Sequence, residues 1–357
     1  MSYPKVTADL TKLRNNLELL ASLLHGSGMT MAAVTKCVCA DARIVELINS
    51  TAVDIIADSR MANLAAVKTD KPRMLIRIPM QSESEAVVKF SDISFASEIS
   101  TVKLVGAEAK LQNKRHRIML MVDMGDLREG VFFRDEEQIF AAAEAILNEK
   151  HLELYGLGVN LSCYGGIIPD AANLGGLVEL ARRLRGKYSI ELPMVSGGNS
   201  STIGPLLKGG VVPEGITSLR IGEAYLLGND TGYNARIPGC EYDAFTVSAE
   251  IVELKKKPSK PIGQSGLNAF GEPVSFEDRG TMLRGICALG RQDTNPDGLT
   301  PINPDVEVLG ASSDHLLLNL TDCSKCNVGD AVSFIPDYGA LLKAYTSKYV
   351  QKDYKGE

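Results

Sequence analysis

The sequence predicts an α/β protein: a (β/α)8 TIM-type barrel over residues 1–230, followed by a mostly-β domain over residues 231–357. Three observations predict it. Short apolar runs alternate with helix-like segments from residue 8 to about residue 228. Polar and glycine-rich residues gather at the carboxyl ends of those runs. Past residue 230 the helical spacing gives way to short alternating runs. Repeated strand–helix units over a stretch of this length are what a closed parallel barrel needs.

The strand candidates, in order, are 29–36, 53–58, 73–78, 93–96, 117–123, 152–160, 190–196 and 218–222. Between them apolar residues recur at three- and four-residue spacing, which puts them on one face of a helix. Leu10, Leu13, Leu17, Leu20 and Leu23 show it first. Ile139, Ala142, Ala143 and Ile146 repeat it, as do Leu174, Leu177, Leu180, Ala181 and Leu184. A doubly wound open sheet is the competing fold. It would place a glycine-rich turn after the first strand, whereas this turn reads Lys36-Cys37-Val38-Cys39, so the dinucleotide fingerprint is absent. In the second domain Phe245, Val247, Ala249 and Ile251 alternate. Runs at 283–289, 306–309, 316–320 and 331–335 follow, separated by turns at Pro258-Ser259, Asn295-Pro296-Asp297-Gly298 and Val328-Gly329-Asp330.

Composition narrows the function. The 357 residues are 45% hydrophobic and 23% charged, the balance of a globular protein with a full core. A net charge of -6 and the lack of a basic cluster argue against nucleic acid as a partner. The longest basic run, Lys255-Lys256-Lys257, is expected to be a solvated turn between strands. No stretch approaches a membrane span, and the first residues lack the apolar core of a signal peptide. Seven irregularly spaced cysteines fit a reducing, cytoplasmic setting. Cys37, Cys39 and Cys287 are expected to be buried thiols. Cys323 and Cys326 form one CxxC without a second pair, a solvated turn rather than a zinc site, and no metal is expected.

The chemistry starts at Lys36. It ends the uncharged run Met29-Thr30-Met31-Ala32-Ala33-Val34-Thr35, a buried strand with a lysine at its carboxyl end. A desolvated lysine loses part of its preference for the ammonium form, and the neutral amine can form a Schiff base. Barrel enzymes carry their active residues at that end of the strands. There the sequence places Lys36, Asp58-Ser59-Arg60, Arg77, Ser97, Asp123, Asn160, Ser196 to Ser201 and Arg220-Ile221-Gly222. Ser196-Gly197-Gly198-Asn199-Ser200-Ser201 closes the seventh strand and opens a short helix. Two glycines permit close backbone approach, and serines and helix-start amides are donors for an anion. Gly222 adds another close-approach amide after the eighth strand. Phosphate sites in such barrels use these last two loops. A reactive lysine plus a phosphate cradle fits pyridoxal phosphate.

These motifs resemble the alanine racemase family of barrel-type pyridoxal-phosphate enzymes. Ala33-Val34-Thr35-Lys36 is similar to its lysine strand, and Asp123-Met124-Gly125-Asp126-Leu127-Arg128-Glu129-Gly130 to its fifth-strand motif. Asn199-Ser200-Ser201 resembles its phosphate turn and Arg220-Ile221-Gly222-Glu223-Ala224 its arginine-x-glycine segment. Gly310-Ala311-Ser312-Ser313-Asp314-His315 resembles the late strand that contributes substrate contacts across a dimer interface. Asn160-Leu161-Ser162-Cys163-Tyr164-Gly165-Gly166 and Gly290-Arg291-Gln292-Asp293 are closer to one branch, whose members racemise ornithine. The resemblance implies a homodimer with shared active sites. It implies that Lys36, Arg128, Asn199, Ser200, Ser201, Arg220, Gly222 and Glu223 hold the cofactor. Arg128, Asn160, Tyr164 and Asp314 are implied for the substrate, ornithine.

The sequence departs from the family at informative places. The family's tyrosine four residues after the lysine is Ala40 here, and its sixth-strand histidine is Asn160. Its second base, a tyrosine, falls at Gly290-Arg291-Gln292-Asp293, and an arginine that stays protonated is a poor base. His315, Asp293, Asp314, Tyr164 and Cys163 are the candidates for that base, with His315 and Asp293 beside Lys36 in the catalytic set. The opposing reading of His315 is a strand-end histidine satisfied by Asp314. The distal amine of ornithine needs a carboxylate, from Asp126, Glu129, Asp293 or Asp314. Other functions stay open: a racemase of another amino acid (lysine, alanine or serine), a D-amino-acid lyase or aldolase, which would need a metal, and a non-enzymatic pyridoxal-phosphate carrier, which would lack the second domain.

Overall fold

The computed structural model describes residues 3–267 and 270–356. It divides into two compact units, Lys12–Tyr242 and Met1–Thr11 together with Asp243–Glu357. In the first, eight parallel strands close into a barrel: β1 (Thr30–Val34), β2 (Ile55–Asp58), β3 (Arg73–Leu75), β4 (Ile93–Ala96), β5 (His116–Asp123), β6 (Leu152–Gly158), β7 (Met194–Ser196) and β8 (Ser218–Ile221). Each pairs with the next, and β8 returns to β1 with Arg220 opposite Ala32. Every predicted strand is present. The third and seventh are shorter than the apolar runs suggest, because Pro79 and Pro193 flank them and proline cannot donate to a ladder.

Strand side chains alternate between faces, so every second residue points into the barrel. Ala32 and Val34, Ile55 and Ala57, Ile93 and Phe95, and Met119 and Met121 fill it, with Met74 and Met194. The interior is a packed core rather than a pore. At Gly156 on β6 a Cβ would lie 1.8 Å from the Met194 carbonyl of β7, so only glycine allows that pairing. Helices flank the strands. Ala171–Tyr188 begins with a capping box between Asp170 and Asn173 and buries the five residues its spacing predicts, Leu174 to Leu184. In Leu10–Gly26 the buried stripe runs Leu13, Leu17, Leu20 and Leu24, with Leu24 in the place expected of Leu23. Among the described residues no helix is long and apolar enough to cross a membrane.

The second unit is a mostly antiparallel sheet built on the long strand Phe245–Pro258. That strand pairs with Thr281–Cys287 and with Ala331–Pro336. The helix Tyr338–Thr346 follows, with Asp337 capping its first turn. Lys255, Lys256 and Lys257 lie inside the long strand, opposite Arg284, Leu283 and Met282, and not in a turn. The strand outruns its apolar stretch, and lysines there keep their heads in water. The strand Lys5–Asp9 also belongs to this sheet, antiparallel to Phe245–Ser248 and parallel to Gln351–Lys355.

Candidate active site

The turn that carries Lys36 is fixed from the neighbouring strand. Thr35 Oγ1 donates to Asp58 Oδ2 at 2.7 Å and to the Ala57 carbonyl at 3.3 Å. Asp58 is fully buried at the end of β2, and its other oxygen accepts from the Arg60 amide and Asn63. Burial raises its carboxyl pKa, while those hydrogen bonds oppose the rise. Lys36 then opens a short 3-10 turn, Lys36–Val38, in which Cys37 and Val38 are buried. Lys36 itself is exposed, in contrast to the desolvated lysine the sequence suggests. The uncharged run is buried because it is a barrel strand; the amine lies one step beyond it. Cys39 is exposed as well, because Cys39 and Ala40 both adopt left-handed backbone, with φ of 51° and 50°. Cys37 and Cys287 are buried as expected, and all seven cysteines are free thiols.

Next to β1, at the end of β8, Arg220 is buried and fully engaged. It donates to Ser196 Oγ at 2.5 Å, to the Val159 carbonyl at 2.7 Å and to Asn160 Oδ1 at 2.5 Å. Its guanidinium lies 4.9 Å from the centre of the Phe95 ring. Burial pulls its pKa down to about 10, and nearby Arg128 adds to that, while Cys163 and Glu129 oppose it. Asn160 turns its amide nitrogen to Glu129 Oε1, and Arg128 grips both oxygens of Glu129. Cys163 is exposed as a residue, and its sulfur accepts from Asn199 at 3.2 Å. Burial of the thiol raises its pKa, against the pull of Arg128, Arg220 and Lys36. The rim thus gathers Lys36, Arg128, Asn160, Cys163, Asn199 and Arg220.

The glycine-serine loop is folded as a cradle. Gly198 has φ of 108°, a conformation that favours glycine. Ser200 Oγ accepts from the amides of Gly222 and Ala224, which ties the loop after β7 to the loop after β8. Asn199 caps the Ser201 amide, and Thr202 Oγ1 donates to the Gly197 carbonyl. The Ser201 hydroxyl is buried and has no partner among the described residues. An orphaned donor beside a helix start is what a bound phosphate would satisfy, so this set fits pyridoxal phosphate. Glu223, half-buried, opens the next helix.

The remaining predicted residues are placed differently. Asp126 is buried and accepts from the amides of Cys163, Tyr164 and Ile167, so it holds the loop after β6. Tyr164 on that loop is 77% exposed. In the mostly-β unit Asp293 is buried and accepts from Ser347 Oγ at 2.6 Å. Asp314 and His315 are exposed on the hairpin between Glu307–Ala311 and Leu316–Asn319. Asp314 accepts from Gln292 and Ser313. Sequence reasoning missed Asp58 as the anchor of the lysine turn. Its only signal was a carboxylate ending an apolar strand.

A family model described as "Alanine racemase, N-terminal domain" matches residues 8–228. An ornithine racemase of Acetoanaerobium sticklandii is 46% identical over 98% of this chain and 99% of its own length. A lysine racemase of Thermotoga maritima is 38% identical over 99% of each. Among solved structures, the alanine racemase of Bartonella henselae with covalently bound pyridoxal phosphate superposes with a TM-score of 0.73 at 16% identity, covering 99% of this chain and 100% of that one.

Proposed function

Since this chain belongs to the alanine racemase family, we propose that it is a pyridoxal-phosphate-dependent racemase that interconverts L- and D-ornithine. One observation carries the reading: Lys36 stands at the rim in the turn just past β1, and β1 pairs with the β8 strand that carries Arg220. Lys36 is assigned to hold the cofactor, with Asn199, Ser200, Ser201, Gly222 and Glu223 around its phosphate. Arg220 is assigned to the pyridine nitrogen, where a buried cation keeps that nitrogen unprotonated. The bound cofactor supplies an electron sink that makes the amino acid's Cα–H acidic. Lys36 Nζ then takes or returns the proton on one face. Arg128, Asn160 and Tyr164 orient the substrate at the rim.

The opposite face needs a second acid–base group. His315 is assigned to it, because its ring is exposed on a hairpin, while Asp293 is engaged with Ser347 and serves to position that segment. An exposed Lys36 would let bulk water compete for the proton, so the working unit is a homodimer in which the mostly-β unit of one copy covers the rim of the other. Asp126 and Glu129 are committed within the barrel and Asp293 is engaged with Ser347, so the exposed Asp314, which accepts from Gln292 and Ser313, is assigned to the distal ammonium. Seven free thiols suit a cytoplasmic enzyme.

The test compares catalytic efficiency for ornithine, lysine, arginine, serine and alanine by chiral chromatography. A pocket carboxylate left unpaired penalises a substrate without the amine, so ornithine should exceed alanine by about a thousandfold or more. Lysine, one methylene longer, should fall short by roughly ten- to two-hundredfold. Alanine turning over as well as ornithine refutes the substrate, and lysine in first place moves the assignment to lysine.

A further inference from the structure

Glu129 stands where two arginines meet. Arg128 donates to both of its oxygens, the bidentate geometry of a strong ion pair. Asn160 donates to one of the same oxygens and passes the connection to Arg220 through its carbonyl, 2.5 Å from Nη2. An asparagine amide has one acceptor end and one donor end. The guanidinium only donates and the carboxylate only accepts, so Asn160 fits between them in one orientation alone. Reversing it would set nitrogen against guanidinium and oxygen against carboxylate.

The charges agree with the geometry. Two guanidiniums this close repel, and Glu129 is the carboxylate that offsets the effect of Arg128 on buried Arg220. Removing its charge weakens the acceptor for the Asn160 amide nitrogen, while Arg220 still holds the Asn160 carbonyl, and leaves Arg128, which is 38% exposed, without a tether. We infer that Glu129 is a positioning residue that holds Arg128 and couples it through Asn160 to Arg220, so that one carboxylate links the cations at the two sides of the cofactor. The inference rests on the cofactor placement proposed above.

The experiment uses the cofactor-loaded enzyme without substrate and follows its visible absorbance against pH. Glu129→Gln keeps the shape of the side chain, but its amide donor faces a donor from Arg128 or Asn160. The midpoint of the spectral titration should move by about one unit, and kcat for the preferred substrate should fall by about tenfold or more. Asn160→Ala should move the same midpoint. The double variant should be scarcely worse than the larger single, because both break one network. Glu129→Asp, which keeps the charge on a shorter arm, should recover part of the shift. An unmoved midpoint in Glu129→Gln overturns the inference, as does a double variant whose effects simply add. If Glu129→Gln does not fold, the coupling between Glu129→Asp and Asn160→Ala carries the same test. The parent enzyme's amino-acid preference decides the ornithine reading separately: an unmoved titration in an enzyme that prefers ornithine counts against Glu129 alone.

Discussion

Arg220, Asp58 and Asp126 of the barrel are buried and paired, whereas Asp314 and His315 of the mostly-β unit stand in solvent. Arg220, Asp58 and Asp126 each have several hydrogen-bond partners within the barrel unit. His315 and Asp314 sit on an exposed hairpin, with bonds to Ser312, Ser313 and, from another segment, Gln292. Groups that are paired before any ligand arrives cost little to organise during a reaction. They also tie the site to the stability of the fold. Exposed groups carry the opposite trade: they are replaceable without unfolding, and they act only when something covers them.

Four substitutions sharpen this contrast. Lys36→Ala should remove the visible absorbance of covalently held cofactor and lower racemisation by at least about a thousandfold; near-parent activity, followed by circular dichroism, breaks the assignment. The barrel's buried His116 comes next. It hydrogen-bonds Ser94 at 2.8 Å, and burial lowers its pKa from 6.5 to about 4. The unfolded chain therefore takes up the proton first as pH falls. Its contribution is whole above pH 6.5 and is lost on the way down to about 4, by roughly 3 kcal/mol. Urea midpoints measured at pH 7 and pH 4.5 should separate in the parent protein, and less in His116→Gln. His315→Ala, on the exposed hairpin, should lower kcat by about a hundredfold while the urea midpoint stays put; a large loss of stability would place His315 in the fold instead. Asp314→Asn is the mildest of the four. It should narrow the preference for ornithine over alanine by about tenfold, with KM for ornithine taking most of the change.

The barrel was legible because its signals are local. Each strand is a short apolar run, each helix a periodic stripe, and a barrel puts strand ends on one rim, so Lys36 and Arg220 could be grouped before their geometry was known. The bridge from Arg128 through Glu129 and Asn160 to Arg220 was not legible. It joins residues on the loops after β5 and β6 to one on β8, and only the closed sheet brings them together. Exposure of Lys36 and Cys39 was also hidden, because hydropathy reports the neighbours of a residue and says nothing of a left-handed turn. The lysine run was misread because a strand that outgrows its core looks like a loop in composition.

The strand Lys5–Asp9 lies between Phe245–Ser248 and Gln351–Lys355 in one sheet, so strands far apart in sequence are neighbours. During synthesis the barrel residues, 12–242, are polymerised before either partner of that strand. The barrel residues are therefore available to fold while that strand still waits for its partners.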